Sequence, residues 1–140
     1  MATRNDGLSA DERAAVRQAA AERRRSQAGK NGEADVLAAI EQMNDQDRPV
    51  AEGLHALVKR EFPDLGCKTW YGYPAYGVDG TTVFYYQLAA KFKTRYGHIA
   101  FNDVARLDDG VMWPTAFAIL EWTDDVETRV SDLIRRALGR

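Results

Sequence analysis

Apolar residues recur every three or four positions in three stretches of the chain, which is the period of an amphipathic helix. The first stretch covers about 34–43 and the second about 49–62, where Pro49 suits the first turn. The third stretch follows Thr123, a favourable N-cap residue. Each of these helices presents one apolar face and therefore needs a surface to pack against.

Between the second and third helices the pattern changes to short runs rich in aromatic and β-branched residues, which are typical of strands. Five strands are predicted, at about 68–71, 75–78, 82–86, 97–101 and 115–120. Asp79 and Gly80 predict a two-residue hairpin turn between the second and third strands. Gly72, Tyr73 and Pro74 predict a constrained loop after the first strand, because proline fixes its own φ and restricts the residue before it.

Helices at both ends with short strands between them predict an α+β domain of two layers. We expect a mainly antiparallel sheet of about five strands with helices on one face. An additional N-terminal helix is predicted at about Ala10–Gln27, where Ser9 and Glu12 form a capping-box pattern. Val16 is its one large apolar interior residue, so we expect a peripheral extension.

The N-terminal helix is followed by a cluster of helix breakers at 28–32, which predicts a flexible link. We therefore divide the chain into a helical N-terminal extension with its linker, residues 1–32, and an α+β domain, residues 33–140.

Charge and cysteine content limit the classes of partner. The 140-residue chain has a formal net charge of −2 and a pI of about 5.7, which argues against nucleic acid or an anionic membrane surface. Arg23, Arg24 and Arg25 resemble a nucleic-acid arm, but neighbouring acidic residues dilute their charge. The single cysteine, Cys67, excludes an intramolecular disulfide. Without an apolar run of about 18 residues or an apolar signal region, we expect a cytoplasmic protein.

Aromatic and basic residues gather around the predicted strands and suggest a ligand cleft. If the segment 91–96 is extended, its three cations lie at alternate positions and form one basic edge. The predicted cleft lies between this segment and the loop at Tyr73 and Pro74, walled by Trp70 and Trp113. The candidate ligand-binding residues are Trp70, Tyr73, Pro74, Tyr76, Tyr86, Lys91, Lys93, Arg95, Tyr96 and Trp113. Rings that stack and cations that pair with negative charge favour a small anionic or aromatic ligand.

Two other interpretations of the same residues stay open. Aromatic residues in strands are usually core, and alternating cations are usually a solvated edge. The rings and cations also suit single-stranded nucleic acid, although the acidic pI argues against that partner.

Metal and catalytic chemistry have weaker candidates. His98, Asp103, Asp108 and Asp109 offer oxygen and imidazole donors for iron, without a recognised ligand spacing. Asp108 and Asp109 precede Gly110 and are more typical of a turn. A thiol–imidazole pair would need Cys67 next to His98, with Asp103 to orient it, but a lone cysteine at the start of a strand is more often a small buried apolar residue. His55 lies beside the apolar stripe of its helix and is interpreted as structural.

Three blocks of the sequence resemble the YdhG-like family, also called domain of unknown function 1801. The blocks run from Lys68 to Tyr76, from Ala90 to Tyr96 and from Leu107 to Thr115, and the likeness extends from about Val36 to the C-terminus. The resemblance implies a small cytoplasmic α+β domain. Some members of that family are described as frataxin-like intracellular iron chaperones, so iron is the cofactor that the resemblance implies.

The function expected from these observations is that of a non-enzymatic binding or carrier protein for a small ligand. An intracellular iron chaperone that uses surface carboxylates is one alternative. A protein-interaction module that uses the N-terminal helix, including self-association through that helix, is a second. An enzyme whose activity the sequence does not reveal is a third.

Overall fold

The computed structural model describes residues 9–27 and 32–140, with the side chains of the first helix as far as Ala19. Residues 28–31 of the predicted flexible link at 28–32 and the Arg23, Arg24 and Arg25 side chains lie outside the described part, and Gly32 is the first residue of α2. In chain order the elements are α1 (Ala10–Gln27), α2 (Gly32–Glu41), α3 (Asp47–Glu61), β1 (Gly66–Trp70), β2 (Tyr73–Val78), β3 (Thr81–Gln87), α4 (Ala89–Phe92), β4 (Gly97–Phe101), β5 (Ala116–Ile119) and α5 (Asp124–Leu138).

The five strands form one antiparallel sheet in the order β1-β2-β3-β4-β5, so every strand pairs with its neighbour in sequence. Apolar side chains of α2, α3 and α5 pack on one face of this sheet, with Val36, Leu54 and Ile134 at most 1% exposed. The predicted α+β fold, with helices on one face and an N-terminal helix, is confirmed. Among the described helices, none is long and apolar enough to cross a membrane.

The predicted N-caps at Ser9 and Thr123 and the predicted hairpin are confirmed. The Ser9 hydroxyl accepts a hydrogen bond from the Glu12 amide at 3.0 Å, and the Thr123 hydroxyl accepts one from the Val126 amide at 3.2 Å. Asp79 and Gly80 both have positive φ, 51° and 80°, as a two-residue hairpin turn requires.

The predicted loop at Gly72, Tyr73 and Pro74 is wrong. The chain turns one residue earlier, at Tyr71 and Gly72, whose φ angles are 52° and 84°. Trp70 and Tyr73 then pair directly across the turn, so Tyr73 and Pro74 are strand residues of β2. A positive φ is unfavourable for tyrosine, and Asn-Gly or Asp-Gly is the usual sequence of such a turn.

The segment 91–96 is not extended, so its cations do not alternate on one edge. Residues Ala89–Phe92 form the short helix α4, and Lys93 follows in the left-handed conformation with φ 54°. Lys91 and Phe92 lie in the helix, whereas Arg95 lies in the loop after it.

A buried carboxylate explains why the chain forms a helix there. Asp47, at the start of α3, is 0% exposed. It accepts hydrogen bonds from the Tyr86 hydroxyl at 2.7 Å and from the backbone amides of Ala89 and Ala90 at 2.9 and 3.1 Å. The first amides of a helix have no partner within the helix, and here the carboxylate supplies one. Asp47 therefore links α3, β3 and α4.

We predict that Asp47→Ala lowers the free energy of unfolding by about 3 kcal/mol, because two buried donors and one part-buried donor lose their acceptor. Urea denaturation followed by circular dichroism measures the change. Asp45→Ala is the control, since the Asp45 side chain is 98% exposed and pairs with Arg48 alone among the contacts described. Its expected cost is below about 0.5 kcal/mol. Equal losses in the two variants would contradict the role of Asp47.

Candidate functional site

The two faces of the sheet differ in what covers them. Tyr76, Phe84 and Phe101 are paired across neighbouring strands and buried beneath the helices. Side chains one position away point to the other face, which we call the open face. Its members are Lys68, Trp70, Tyr73, Ala75, Tyr85, Gln87, His98, Ala100, Ala116 and Ala118.

Tyr76 and Tyr86 lie on the helix-covered face and do not reach the predicted cleft. Each is 1% exposed. The Tyr76 hydroxyl lies 3.0 Å from Nδ1 of His55, and the Tyr86 hydroxyl donates to Asp47. Burial raises the pKa of both hydroxyls. Both residues satisfy the polar groups of the core.

Three rings pack together on the open face. Tyr73 stacks on Tyr85 with ring centroids 5.7 Å apart, and Trp70 meets Tyr85 edge-on at 5.1 Å. Tyr73 is only 7% exposed, although no helix of the main layer covers it. Burial, with a contribution from Tyr85, raises the pKa of Tyr73 to about 12.

Helix α4 covers Tyr73 from outside the sheet. The Phe92 ring lies 6.4 Å from the Tyr73 ring, and the Lys91 ammonium lies 4.7 Å from the centroid of the same ring. Lys91 Nζ also donates a hydrogen bond to the Tyr71 carbonyl at 2.6 Å. We call Trp70, Tyr71, Tyr73, Tyr85 and Phe92 the aromatic cluster.

The other predicted cleft residues lie apart from this cluster. Trp113 packs against the helix-side core, so it does not face Trp70 across a cleft. The Arg95 guanidinium lies 4.8 Å from the Tyr96 ring centroid, and Tyr96 contacts His98 at 5.2 Å. Lys93 is exposed. The predicted convergence is therefore wrong for Trp113 and for the row of three cations. Pro74 is buried in β2.

A hollow of about 370 Å³ lies on the open face beside the aromatic cluster, between α1 and strands β1 to β3. Its lining residues are Ala19, Gly66, Cys67, Lys68, Thr69, Trp70, Tyr71, Ala75, Tyr76, Gly77, Gly80, Thr81 and Thr82. Trp70 and Tyr71 belong to both the hollow and the cluster.

A missing side chain at Gly66 opens this hollow. Gly66 pairs with Gly77 across β1 and β2, and Gly77 lies tightly against the backbone of Thr81 and Thr82. A Cβ at Gly77 would lie 1.9 Å from the Thr81 carbonyl oxygen, so this position requires glycine. A Cβ at Gly66 would meet only the Gly77 oxygen, at 3.8 Å. The space above Gly66 is therefore open to a ligand.

The hollow combines one cation with an indole and hydroxyl groups. Lys68 is half-buried, and no carboxylate in the described part of the chain pairs with it. Trp70 follows two residues later on the same face, and Thr81 and Thr82 line the hollow from β3, on the far side of β2. An unpaired ammonium beside an aromatic wall suits a ligand with a negative group and a flat apolar part.

The metal candidates are not brought together. Asp103, Asp108 and Asp109 are exposed in the loop after β4, and His98 contacts Tyr96 on the open face. Within residues 9–27 and 32–140, no group of three or more histidine, cysteine and acidic side chains could hold a metal ion.

Cys67 and His98 cannot form a catalytic pair, because they lie on opposite faces of the sheet. Burial raises the pKa of the Cys67 thiol, and the Glu33 carboxylate adds to this shift. His55 has the structural role that the sequence predicts. It is 6% exposed, and its Nε2 lies 3.1 Å from Glu33 Oε1.

Sequence reasoning missed Lys68, Tyr85 and the two glycines at the floor of the hollow. Lys68 and Trp70 are two residues apart in a predicted strand, so the strand pattern already placed the two side chains on one face. Gly66 and Gly77 carried no signal on their own, because only the register of β1 with β2 shows that they are partners.

No family model matches the chain, and neither a curated protein nor a solved structure is significantly similar to it. The resemblance to the YdhG-like family therefore stays a prediction.

We predict that the free energy of unfolding falls as the pH rises above about 10. Tyr73, Tyr76 and Tyr86 have raised pKa values in the folded state. The unfolded chain therefore loses their protons first and binds fewer protons, so stability is fully present below the ordinary tyrosine pKa and falls above it. Each tyrosine contributes at most about 1.4 kcal/mol per pH unit. Urea denaturation between pH 8 and 11.5 measures the slope.

Tyr73→Phe is the matched control for this slope. It removes one titrating hydroxyl that has no hydrogen-bond partner in the described structure, so stability at pH 7 should change little while the alkaline slope becomes flatter. An unchanged slope in this variant would show that Tyr73 titrates normally in the folded protein.

Proposed function

We propose that this chain is a non-enzymatic binding protein for a small organic anion, and that the hollow on the open face is its binding site. The negative group pairs with Lys68, and the flat apolar part lies against Trp70. Ala19 of α1 and Ala75 of β2 supply small apolar walls.

The observation that carries this proposal is the Lys68 ammonium, which pairs with no carboxylate among the described residues, at a hollow that the sheet leaves unfilled. A half-buried cation without a carboxylate partner gains free energy when an anion binds beside it. Gly66 leaves the strand backbone accessible at the same place, because a Cβ there would meet only the Gly77 oxygen, at 3.8 Å. The two features together favour a ligand-binding role for Lys68 over a role as a solvent-exposed surface charge.

The dimensions of the hollow agree with a small organic molecule. Its volume of about 370 Å³ falls at the lower end of the range of about 300–1,000 Å³ that is typical of small-ligand pockets. A polymer such as single-stranded nucleic acid would need a longer groove with several cations along it.

Binding without catalysis fits the chemistry of the lining. Cys67 is the one thiol of the chain, and its raised pKa keeps it protonated at neutral pH. A protonated thiol is a poor nucleophile. The Tyr76 hydroxyl is buried and bonded to His55, which leaves it unavailable to a ligand.

We predict that indole-3-acetate binds more tightly than the neutral indole-3-acetamide, because the two probes share the ring and differ in the carboxylate. Titrations followed by the three tryptophan indole N–H signals in NMR spectra measure both affinities, and Trp70→Phe identifies the Trp70 signal. Lys68→Met should weaken the binding of indole-3-acetate about five- to tenfold. The same variant should change the affinity for indole-3-acetamide by less than about twofold.

Two further variants locate the site. Gly66→Val places a side chain in the hollow and should weaken both probes, whereas Lys93→Met removes an exposed lysine outside the hollow and should change neither. The proposal is wrong if the Trp70 signal does not shift at millimolar indole-3-acetate. It is also wrong if Gly66→Val leaves the affinities for both probes unchanged.

A further inference from the structure

Strand β5 is an edge of the sheet, and its outer side has hydrogen-bonding groups without a strand partner. Phe101 donates a hydrogen bond to the Thr115 carbonyl at 2.8 Å, and the register pairs Ile99 with Phe117. In an antiparallel ladder, alternate residues bond to the neighbouring strand. Phe117 and Ile119 therefore bond to β4, while the N–H and C=O groups of Ala116 and Ala118 point outward.

The sequence around this edge has no charged residue. From Val111 to Leu120 it reads VMWPTAFAIL. Proteins usually protect an edge strand with lysine, proline within the strand, a bulge or a covering element. Pro114 lies before β5, and Ala116 and Ala118 are exposed, so among the described residues β5 is protected only by its short length of four residues.

Large apolar side chains are exposed on both sides of β5 in sequence. Val111 is 101% exposed and Met112 86% exposed before the strand, and Leu120 is 60% exposed after it. These are among the most exposed large apolar residues of the described chain. Apolar surface gathered beside an unprotected edge is typical of an interaction site.

The opposite edge of the sheet is different. Lys68 lies within β1, and Gly32 at the start of α2 packs so closely that an added Cβ would lie 2.1 Å from the Cys67 carbonyl oxygen. One edge is thus covered by a helix, and the other is open.

We propose that two copies of this chain associate through β5, with the two strands antiparallel about a twofold axis at Phe117. The outward N–H and C=O groups of Ala116 then bond to those of the second copy's Ala118. Ala118 bonds to the second copy's Ala116 in the same way, so the interface has four backbone hydrogen bonds. The two sheets continue as one sheet of ten strands. An interface in which the same patch serves both subunits is the usual form of a homodimer.

The exposed apolar residues are arranged in the way that this symmetry needs. Continued beyond the strand, the same register brings Leu120 towards the second copy's Pro114, and Met112 towards the second copy's Trp122. The two Phe117 side chains approach each other on the helix-covered face, where residues without mutual hydrogen bonds lie closest. With no charge between Val111 and Leu120, no like charges oppose each other in the strand pairing.

Sedimentation analysis of the full chain up to about 0.5 mM, a range that includes weak interfaces, tests the association. We expect a species of twice the 15.7 kDa chain mass. Ala118→Pro removes an amide that bonds only across the proposed interface, and it should raise the dissociation constant at least tenfold. The double variant Ala116→Lys, Ala118→Lys should also raise the dissociation constant at least tenfold, because it places four positive charges close together in the dimer. The matched control, Ala38→Lys with Ala56→Lys, adds the same charge at exposed helical positions and should leave the constant unchanged.

Hydrogen exchange of the unaltered chain gives a test that needs no variant. The amides of Ala116 and Ala118 should exchange quickly in dilute solution and slowly when the protein is concentrated, while those of Phe117 and Ile119 are protected in both. A monomer at every concentration overturns the proposal. A dimer in which the Ala116 and Ala118 amides exchange freely also overturns it, since association then uses another surface such as α1.

Discussion

The structure depends on a sheet that the main helical layer covers on one face only. Burial of Tyr76, Phe84 and Phe101 under α2, α3 and α5 supplies the core, and burial of apolar surface is the main favourable term in folding. The other face must then protect its own rings. It does so with the aromatic cluster and with the short helix α4, which Asp47 fixes in place from the covered side. One buried carboxylate therefore connects the core to the open face.

That division of the sheet explains both proposed surfaces. Along β1 to β3, large rings and Lys68 surround a place where Gly66 leaves the backbone uncovered. Towards β5 the open-face residues are alanines, and the strand ends the sheet without a charge or a cover. We propose the first surface as a small-molecule site. The second has outward backbone groups that no described residue pairs with, and we propose it as a site for another strand.

The sequence predicted the parts of the fold that local patterns specify. Helical periodicity located α2, α3 and α5, and Asp79 with Gly80 located one hairpin. The turn at Tyr71 was not predicted, because a tyrosine rarely adopts the positive φ that the turn needs. In the structure the Tyr71 carbonyl accepts a hydrogen bond from Lys91, which is distant in sequence, so no local pattern indicates the turn. Helix α4 escaped for a similar reason, since its amides are capped by Asp47 of α3. The candidate site was predicted in part. Trp70 lines the hollow, and Tyr73 and Lys91 contact each other in the neighbouring aromatic cluster. Tyr76 and Tyr86 are buried in the core, because the face on which a strand residue lies depends on the strand register. Trp113, in the loop before β5, packs against the core.

The most direct test of the central claim is the position of a bound aromatic anion on the open face. Intermolecular nuclear Overhauser effects between the ring protons of indole-3-acetate and the protein report that position. The account predicts contacts with the Trp70 ring, the Thr82 methyl group and the Ala19 methyl group, which line the hollow from three elements. Contacts confined to the exposed apolar residues Val111, Met112 and Leu120 would contradict it.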